Sequence, residues 1–339
     1  MKFSILIPTY NGEKFIEEAI LSVLSQTRPA DEIIVSDDNS SDKTVEICSK
    51  YADRVKIVVN KNVPSGFVQG WNNAIAQAKF EYISILHQDD RLMPNFLQEA
   101  EYAFTKYPEA GHFFVPCEYI DENGVVKRKT LNKESGLRKF SKVEYVKSYI
   151  YDGCPHIHRC PGVVTKKELF TKCSYRVEAG HIADDDFFYR IGNYTEIVGL
   201  LKHLAQYREH SQSETGHLKE LEMIKRMIHD YTFQINNIND NPLFDKDCRS
   251  FFFSCLLDFT QKELLYAIRK NDKDAFILYQ KDKNKIKSLR LKLKPKYYIY
   301  DIFTRCLGVT AFHYVTWIRY GAKRALFKKI TDVILNIKC

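Results

Sequence analysis

The chain has 339 residues, 45% of them hydrophobic and 28% charged, which is enough apolar material for a full core and excludes disordered, collagen-like and coiled-coil classes. The formal net charge of +8 is unevenly spread: from residue 281 onward 15 Lys and Arg face 3 Asp and Glu, while residues 1–280 carry 36 basic against 40 acidic. A mildly acidic body with a basic tail predicts an anionic surface as the partner of the tail.

In chain order, Phe3 to Pro8 predicts a short apolar strand, too short and too early broken by Pro8 for a secretory leader. Glu13 to Ser25 follows as a helix with Phe15, Ile16, Ala19, Ile20, Val23 and Leu24 on one face. Ile33 to Ser36 predicts a second strand running into Asp37-Asp38-Asn39-Ser40. Asp42 to Ala52 reads as a helix, Val55 to Val59 as a strand, and Phe67 to Ala78 as a helix. Tyr82 to Leu86 is a fourth strand, and Pro94 to Lys106 a further helix. Strand and helix alternating at this spacing predict an α/β, Rossmann-like, mostly parallel sheet flanked by helices, whose ligands gather at the carboxyl ends of the strands. The polar turns Thr9-Tyr10-Asn11, Asp37-Asp38-Asn39 and Asp89-Asp90 all fall at such ends. Residues 111–210 mix short strands and loops and hold the run Asp184-Asp185-Asp186. Leu218 to Asn236, Lys246 to Arg269 and Ala275 to Leu293 predict a C-terminal helical extension. The expected division is 1–213 and 214–339. Nine scattered cysteines predict a reduced, cytoplasmic chain.

Asp89 and Asp90 in isolation read two ways, as a turn capping the helix near Pro94 or as a hard-oxygen site for Mn2+ or Mg2+. The Asp37–Asp42 stretch is equally open between a capping loop and a nucleotide contact. Context weighs on both. Ser4-Ile5-Leu6-Ile7-Pro8-Thr9-Tyr10-Asn11, Ser22-Val23-Leu24-Ser25-Gln26-Thr27, Glu32-Ile33-Ile34-Val35-Ser36-Asp37-Asp38-Asn39-Ser40 and Ile85-Leu86-His87-Gln88-Asp89-Asp90 together resemble the opening of family 2 glycosyltransferases. The resemblance implies a GT-A fold and an inverting, metal-dependent transfer from a nucleoside-diphosphate sugar, UDP-linked by expectation, to a saccharide or lipid-linked saccharide. It implies nucleotide contacts at Pro8, Tyr10, Asn11, Asp37, Asp38 and Asp89, and Mn2+ or Mg2+ at Asp90 with Asp89 and His210.

Ala183 to Arg190 is similar to the family's catalytic segment, an acid followed six residues later by Arg, which selects Asp184 as general base with Asp185 as the alternative. Tyr207 to Ser213 resembles the Arg-x-His segment that closes the domain. Arg190, Arg208, His210 and Trp71 are then expected around the diphosphate or acceptor. The chain departs from the family at Trp71, where many members place an Arg. Cys154-Pro155-His156-Ile157-His158-Arg159-Cys160 does not match usual zinc spacings and by position would line the acceptor pocket. Basic and apolar residues mixed over Trp317 to Ile337 predict an amphipathic helix on an anionic membrane, peripheral to the inner face of the plasma membrane. No motif supports nucleic-acid binding. A sugar nucleotidyltransferase would place a Gly-rich loop with a basic residue where this chain has Pro8-Thr9-Tyr10-Asn11-Gly12; a non-catalytic sugar- or lipid-binding module is the other rival.

Overall fold

The computed structural model describes residues 1–61, 66–131, 133–150, 158–211, 213, 218–244, 246–289, 297, 300–302, 304, 305 and 309. They form two compact units, one of residues 1–217 with 237–249, the other of 218–236 with 250–339.

The first unit begins with strand β1 (Phe3–Thr9), helix α1 (Ile16–Leu24), β2 (Glu32–Asp37), α2 (Thr44–Ser49), β3 (Lys56–Val59), α3 (Phe67–Gln77) and β4 (Tyr82–Ile85). It continues through β5 (Arg91–Leu92), α4 (Phe96–Lys106), β6 (Ala110–Phe114), β7 (Cys117–Ile120), β8 (Val126–Lys129), β9 (Leu137–Phe140) and α5 (Lys142–Ile150). It closes with β10 (Val163–Lys166), α6 (Ala183–Ile191), β11 (Glu196–Leu200) and β12 (Ala205–Arg208). The main sheet runs β3-β2-β1-β4-β10-β6-β11-β9, and a smaller one runs β5-β12-β7-β8.

The first four strands of the main sheet are parallel, with Thr9 level with Asp37 and Leu6 with Ile85. Parallel register brings the ends of β1, β2 and β4 to one edge, so the three polar turns meet there. β10 enters antiparallel between β4 and β6. Its direction places its first residues, and the chain just before them, at that same edge.

The helices pack as their periodicity demands. α1 buries Ile16, Ala19, Ile20 and Val23, the i, i+3, i+4, i+7 face of an amphipathic helix. α4 buries Phe96, Leu97, Ala100, Ala103 and Phe104 in the same cluster as Phe3, Tyr82 and Phe113.

The second unit contains α7 (Glu220–Asn236), the part of α8 (Lys246–Lys270) from Ser250 onward, and α9 (Lys273–Ser288). Leu264, Ile268, Tyr279, Ile286 and Tyr297 form its core cluster. Asp272 caps α9, accepting from the Ala275 amide at 2.9 Å. Buried Asp301 accepts from Gln280 at 2.7 Å and pairs with Lys283 and Arg305. Among the described residues no helix is long and apolar enough to cross a membrane. The basic amphipathic stretch expected over 317–337 lies outside them, as do Cys154 to Ile157 of the Cys/His run.

Candidate active site

The turn after β1 is shaped by its neighbours' polar atoms. Gln88 Oε1 accepts from the Thr9 hydroxyl at 2.5 Å and the Tyr10 amide at 2.9 Å, and Gln88 Nε2 donates back to Tyr10 O at 3.2 Å. Gln88, from the loop after β4, thus holds the first turn in place. Asn11 is left-handed, with φ of 47°, and its Oδ1 accepts from the Ser41 amide at 2.9 Å. The Tyr10 ring remains 47% exposed, available for stacking; Pro8 is half-buried beside it.

After β2, both oxygens of buried Asp37 are taken by Ser40, from its amide at 2.9 Å and its hydroxyl at 2.5 Å. Asp37 therefore builds the turn. Asp38 is joined to β1 through its amide, which donates to Thr9 O at 2.9 Å, and its carboxylate faces Gly70 of α3.

The loop after β4 carries the acid pair. His87, Asp89 and Asp90 each offer a ligand atom within 4.8 Å of one another. The two acids have different surroundings. Asp89 Oδ2 accepts from His210 Nε2 at 2.9 Å, and the His210 ring packs on Phe15 at 4.8 Å. Asp90 is 1% exposed; its Oδ1 accepts from the Arg208 amide at 2.8 Å, while its Oδ2 has no hydrogen-bond partner. His87 Nδ1 lies 3.7 Å from Asp90 Oδ2, and His87 Nε2 is likewise buried and unpartnered. Burial first, then the neighbouring Asp89 charge, raises the Asp90 carboxyl well above its ordinary value. Burial lowers His87, against the pull of Asp89 and Asp184. A buried carboxylate oxygen and a neutral imidazole with nothing to bind suit a divalent cation: the donor set fits.

Arg208, expected near the diphosphate, has its guanidinium engaged in shaping this loop. Nε donates to Asp89 O at 2.8 Å, Nη1 to Glu122 O at 3.0 Å and Asp121 O at 3.2 Å, and Nη2 to Glu18 at 2.6 Å. Its side chain has no exposed surface. Trp71 supplies no charge but a surface: it stacks on His87 at 5.0 Å and 20°, and meets Tyr175 edge-on at 5.2 Å.

Asp184, Asp185 and Asp186 occupy the first turn of α6, where the helix N-terminus favours acids. They diverge from there. Buried Asp186 pairs with Arg190, accepting from Nε at 2.8 Å, and Arg176 stands 3.8 Å away. Arg190 also donates to Ser174 O at 2.7 Å and to Cys173 Sγ at 3.2 Å. Arg190 thus braces the start of α6 and the loop before it. The Asp184 carboxyl is raised to about 6 by burial first and Asp185 second, with Arg159 and His87 opposing.

Arg159 was not singled out from the sequence. Its Nε donates to Tyr119 Oη at 2.8 Å, and its guanidinium lies 5.4 Å from the centre of the Tyr207 ring. Burial disfavours its charge, but Tyr119, Asp185 and Tyr207 hold its proton more firmly than usual. The structure thus brings together His87, Asp89, Asp90, His210, Trp71, Asp184, Asp185 and Arg159, with Asp38 and Tyr10 at the other end of the same edge. It keeps Asp37, Arg190 and Arg208 in supporting positions.

Residues 4–165 match the family described as Glycosyl transferase family 2. The chain is 35% identical to the GalNAc(5)-diNAcBac-PP-undecaprenol beta-1,3-glucosyltransferase of Campylobacter jejuni, over 42% of this chain and 45% of the relative, so it spans less than half of that relative's length. TarS residues 1–349 of Staphylococcus aureus, solved in complex with UDP, superposes with a TM-score of 0.54 at 17% identity, covering 96% of this chain and 93% of that one. The mannosyltransferase PcManGT from Pyrobaculum calidifontis, in complex with GDP-Man and Mn2+, gives 0.52 at 17% identity, covering 92% and 85%. At those identities the likeness speaks for the fold.

Proposed function

Residues 4–165 are a family 2 glycosyltransferase domain by their match, in a chain with the GT-A fold, and on that premise we propose that the protein moves a sugar, with inversion, from a UDP-sugar to a hydroxyl of a saccharide or lipid-linked saccharide. The observation that carries the reading is the pairing of unequal acids in one cleft: Asp90 with a buried, unpartnered oxygen, and Asp184 with a carboxyl raised to about 6. His87 lies within the fields of Asp89 and Asp184, so the cation-hungry and base-like groups share one space.

In this reading residues 1–213 are the catalytic domain. Tyr10 and Asp38, with Pro8 and Asn11, receive the base, and Asp89 the ribose while it retains His210. Asp90, with Asp89 and His87, would hold Mn2+ or Mg2+. Such an ion, when bound, supplies Lewis-acid stabilisation of the departing diphosphate. Asp184 accepts the proton of the acceptor hydroxyl as that oxygen attacks the anomeric carbon. The anomeric bond to the diphosphate breaks on the opposite face, which inverts the centre. A base with a carboxyl near 6 is mostly ionised at neutral pH yet more basic than an ordinary carboxylate, which suits general-base work. Arg190 holds Asp186, so that the proton-accepting role falls to Asp184. Solved complexes of the structural neighbours with UDP and with GDP-Man and Mn2+ support a nucleotide-sugar donor.

The undecaprenol-linked saccharide in the name of the C. jejuni relative supports a lipid-linked acceptor. The basic excess beyond residue 280 supports docking on an anionic membrane. Screening UDP- and GDP-sugars for metal-dependent turnover tests the donor; no hydrolysis or transfer from any of them would leave only a binding module. Co-sedimentation with anionic liposomes tests the tail: a chain cut after Gln280 should stay in solution, and one that still pelleted would refute it.

A further inference from the structure

The family pattern places an Arg on the helix after the third strand, and this chain has Trp71 there. The cations expected to compensate are committed elsewhere. Arg208 is engaged by Asp89 O, Asp121 O, Glu122 O and Glu18. Arg190 is held by Asp186 and Ser174 O. Arg91 bonds Glu18 and Gly124 O, and His210 bonds Asp89.

Arg159 differs from all of these. Its Nε is fixed on Tyr119 Oη at 2.8 Å, but among the described residues no hydrogen bond or ion pair engages Nη1 or Nη2. Tyr119 and Tyr207 flank the guanidinium at 5.7 and 5.4 Å from their ring centres. It is half-buried, on the segment just before β10, which the antiparallel direction of that strand brings to the edge carrying Asp90. Half-buried forks of N–H donors recognise doubly oxygenated anions in a bidentate way.

The segment holding Arg159 is tied on both sides. Gly162 donates to Arg159 O at 3.0 Å and accepts from the Val115 amide at 2.8 Å. A side chain at Gly162 is excluded, since a Cβ there would stand 2.6 Å from Val115 O. On the other side His158 Nε2 meets Tyr145 Oη at 2.8 Å, Tyr145 meets His112 Nε2 at 2.8 Å, and His112 Nδ1 meets Thr165 at 2.8 Å. These buried contacts tie α5, β6 and β10 behind the arginine. A fork held this firmly loses little freedom when it binds.

We propose that Arg159 is the guanidinium that receives the phosphoryl oxygens of the donor's diphosphate, taking over from the position occupied by Trp71. The proposal rests on the nucleotide-sugar reading above. It specifies that the distal phosphate is the partner, because Arg159 stands on the side of Asp90 and Asp184 rather than at the Tyr10 and Asp38 end.

The test is titration of the full chain with UDP and with UMP in Mn2+, for wild type, Arg159→Gln and Arg159→Lys. Arg159→Gln should weaken UDP about ten- to a hundredfold and leave UMP unchanged, and Arg159→Lys, which keeps the charge but loses the fork, should fall between. Equal loss of UDP and UMP affinity in both variants would overturn the proposal, because it would mark a structural role. So would unchanged UDP binding with a raised acceptor KM, which would move the guanidinium to the acceptor. If Arg159→Gln failed to fold, Arg159→Lys alone would decide: a folded Lys variant that bound UDP as tightly as the wild type would overturn the proposal, and one weakened for UDP but not for UMP would support it. A wild type that bound no nucleoside diphosphate would overturn the proposal together with the donor reading. One that bound UDP, with Arg159→Gln binding equally well, would overturn the proposal alone.

Discussion

Asp89-Asp90 and Asp184-Asp185-Asp186 are alike in composition and are neutralised in different ways. In the first run the compensation comes from far along the chain: His210 for Asp89 and the Arg208 amide for one oxygen of Asp90. In the second it comes from the same helix, Arg190 for Asp186, while Arg159 lends Asp184 and Asp185 only the longer-range field of its charge. Each run leaves one acid short of partners. The shortfall at Asp90 is an unshared lone pair on a buried oxygen, which suits a cation. At Asp184 it is an elevated carboxyl, which calls for a proton. One residue type thus acquires two different properties because its neighbours differ.

The sharpest break in this comparison is Asp184→Asn, which should lower sugar transfer about 10²- to 10⁴-fold while UDP affinity in Mn2+ holds within twofold; unchanged turnover would remove Asp184 as the base. Next in size, Arg190→Met should strand buried Asp186 and cost about 3–5 kcal/mol in urea unfolding, with UDP affinity retained if the folded fraction is counted. Smaller and opposite in sign, Asp90→Asn should stabilise the metal-free chain by about 1–3 kcal/mol at pH 7 and abolish Mn2+ binding, read by electron paramagnetic resonance as a free-ion signal that added protein no longer reduces. The sign follows from linkage. Asp90 binds its proton more tightly in the folded chain, so metal-free stability falls as pH rises above the ordinary carboxylate range. The mildest test is the pH profile: kcat/KM should fall about tenfold per unit below about 6 as Asp184 protonates, and hold at neutral pH.

The alternation from β1 to α4 was legible because the helices bury faces at helical spacing and the strands are short apolar runs. β10 was not: four residues, Val163 to Lys166, carry no sign of direction, and only pairing with β4 and β6 makes them antiparallel. At the site, the acids stood out by position at strand and helix ends. The partners of the arginines were not legible, because a sequence shows charge but not which way a side chain turns. Arg190 follows Asp184 by six residues, yet it follows Asp186 by four, the spacing at which helix neighbours meet. Arg159 gave no signal, since its task depends on Tyr119 and Tyr207 arriving from the second sheet.

The Arg208 clamp also bears on the order in which the molecule assembles. It reaches back 118 residues to Asp90 and 190 to Glu18. Contacts so distant in the chain form late, because long loops must close before they are rewarded. On a ribosome the loop of His87, Asp89 and Asp90 would emerge well before the strand that finishes it, so a nascent chain acquires its sheet first and the completed acid loop only once β12 has docked.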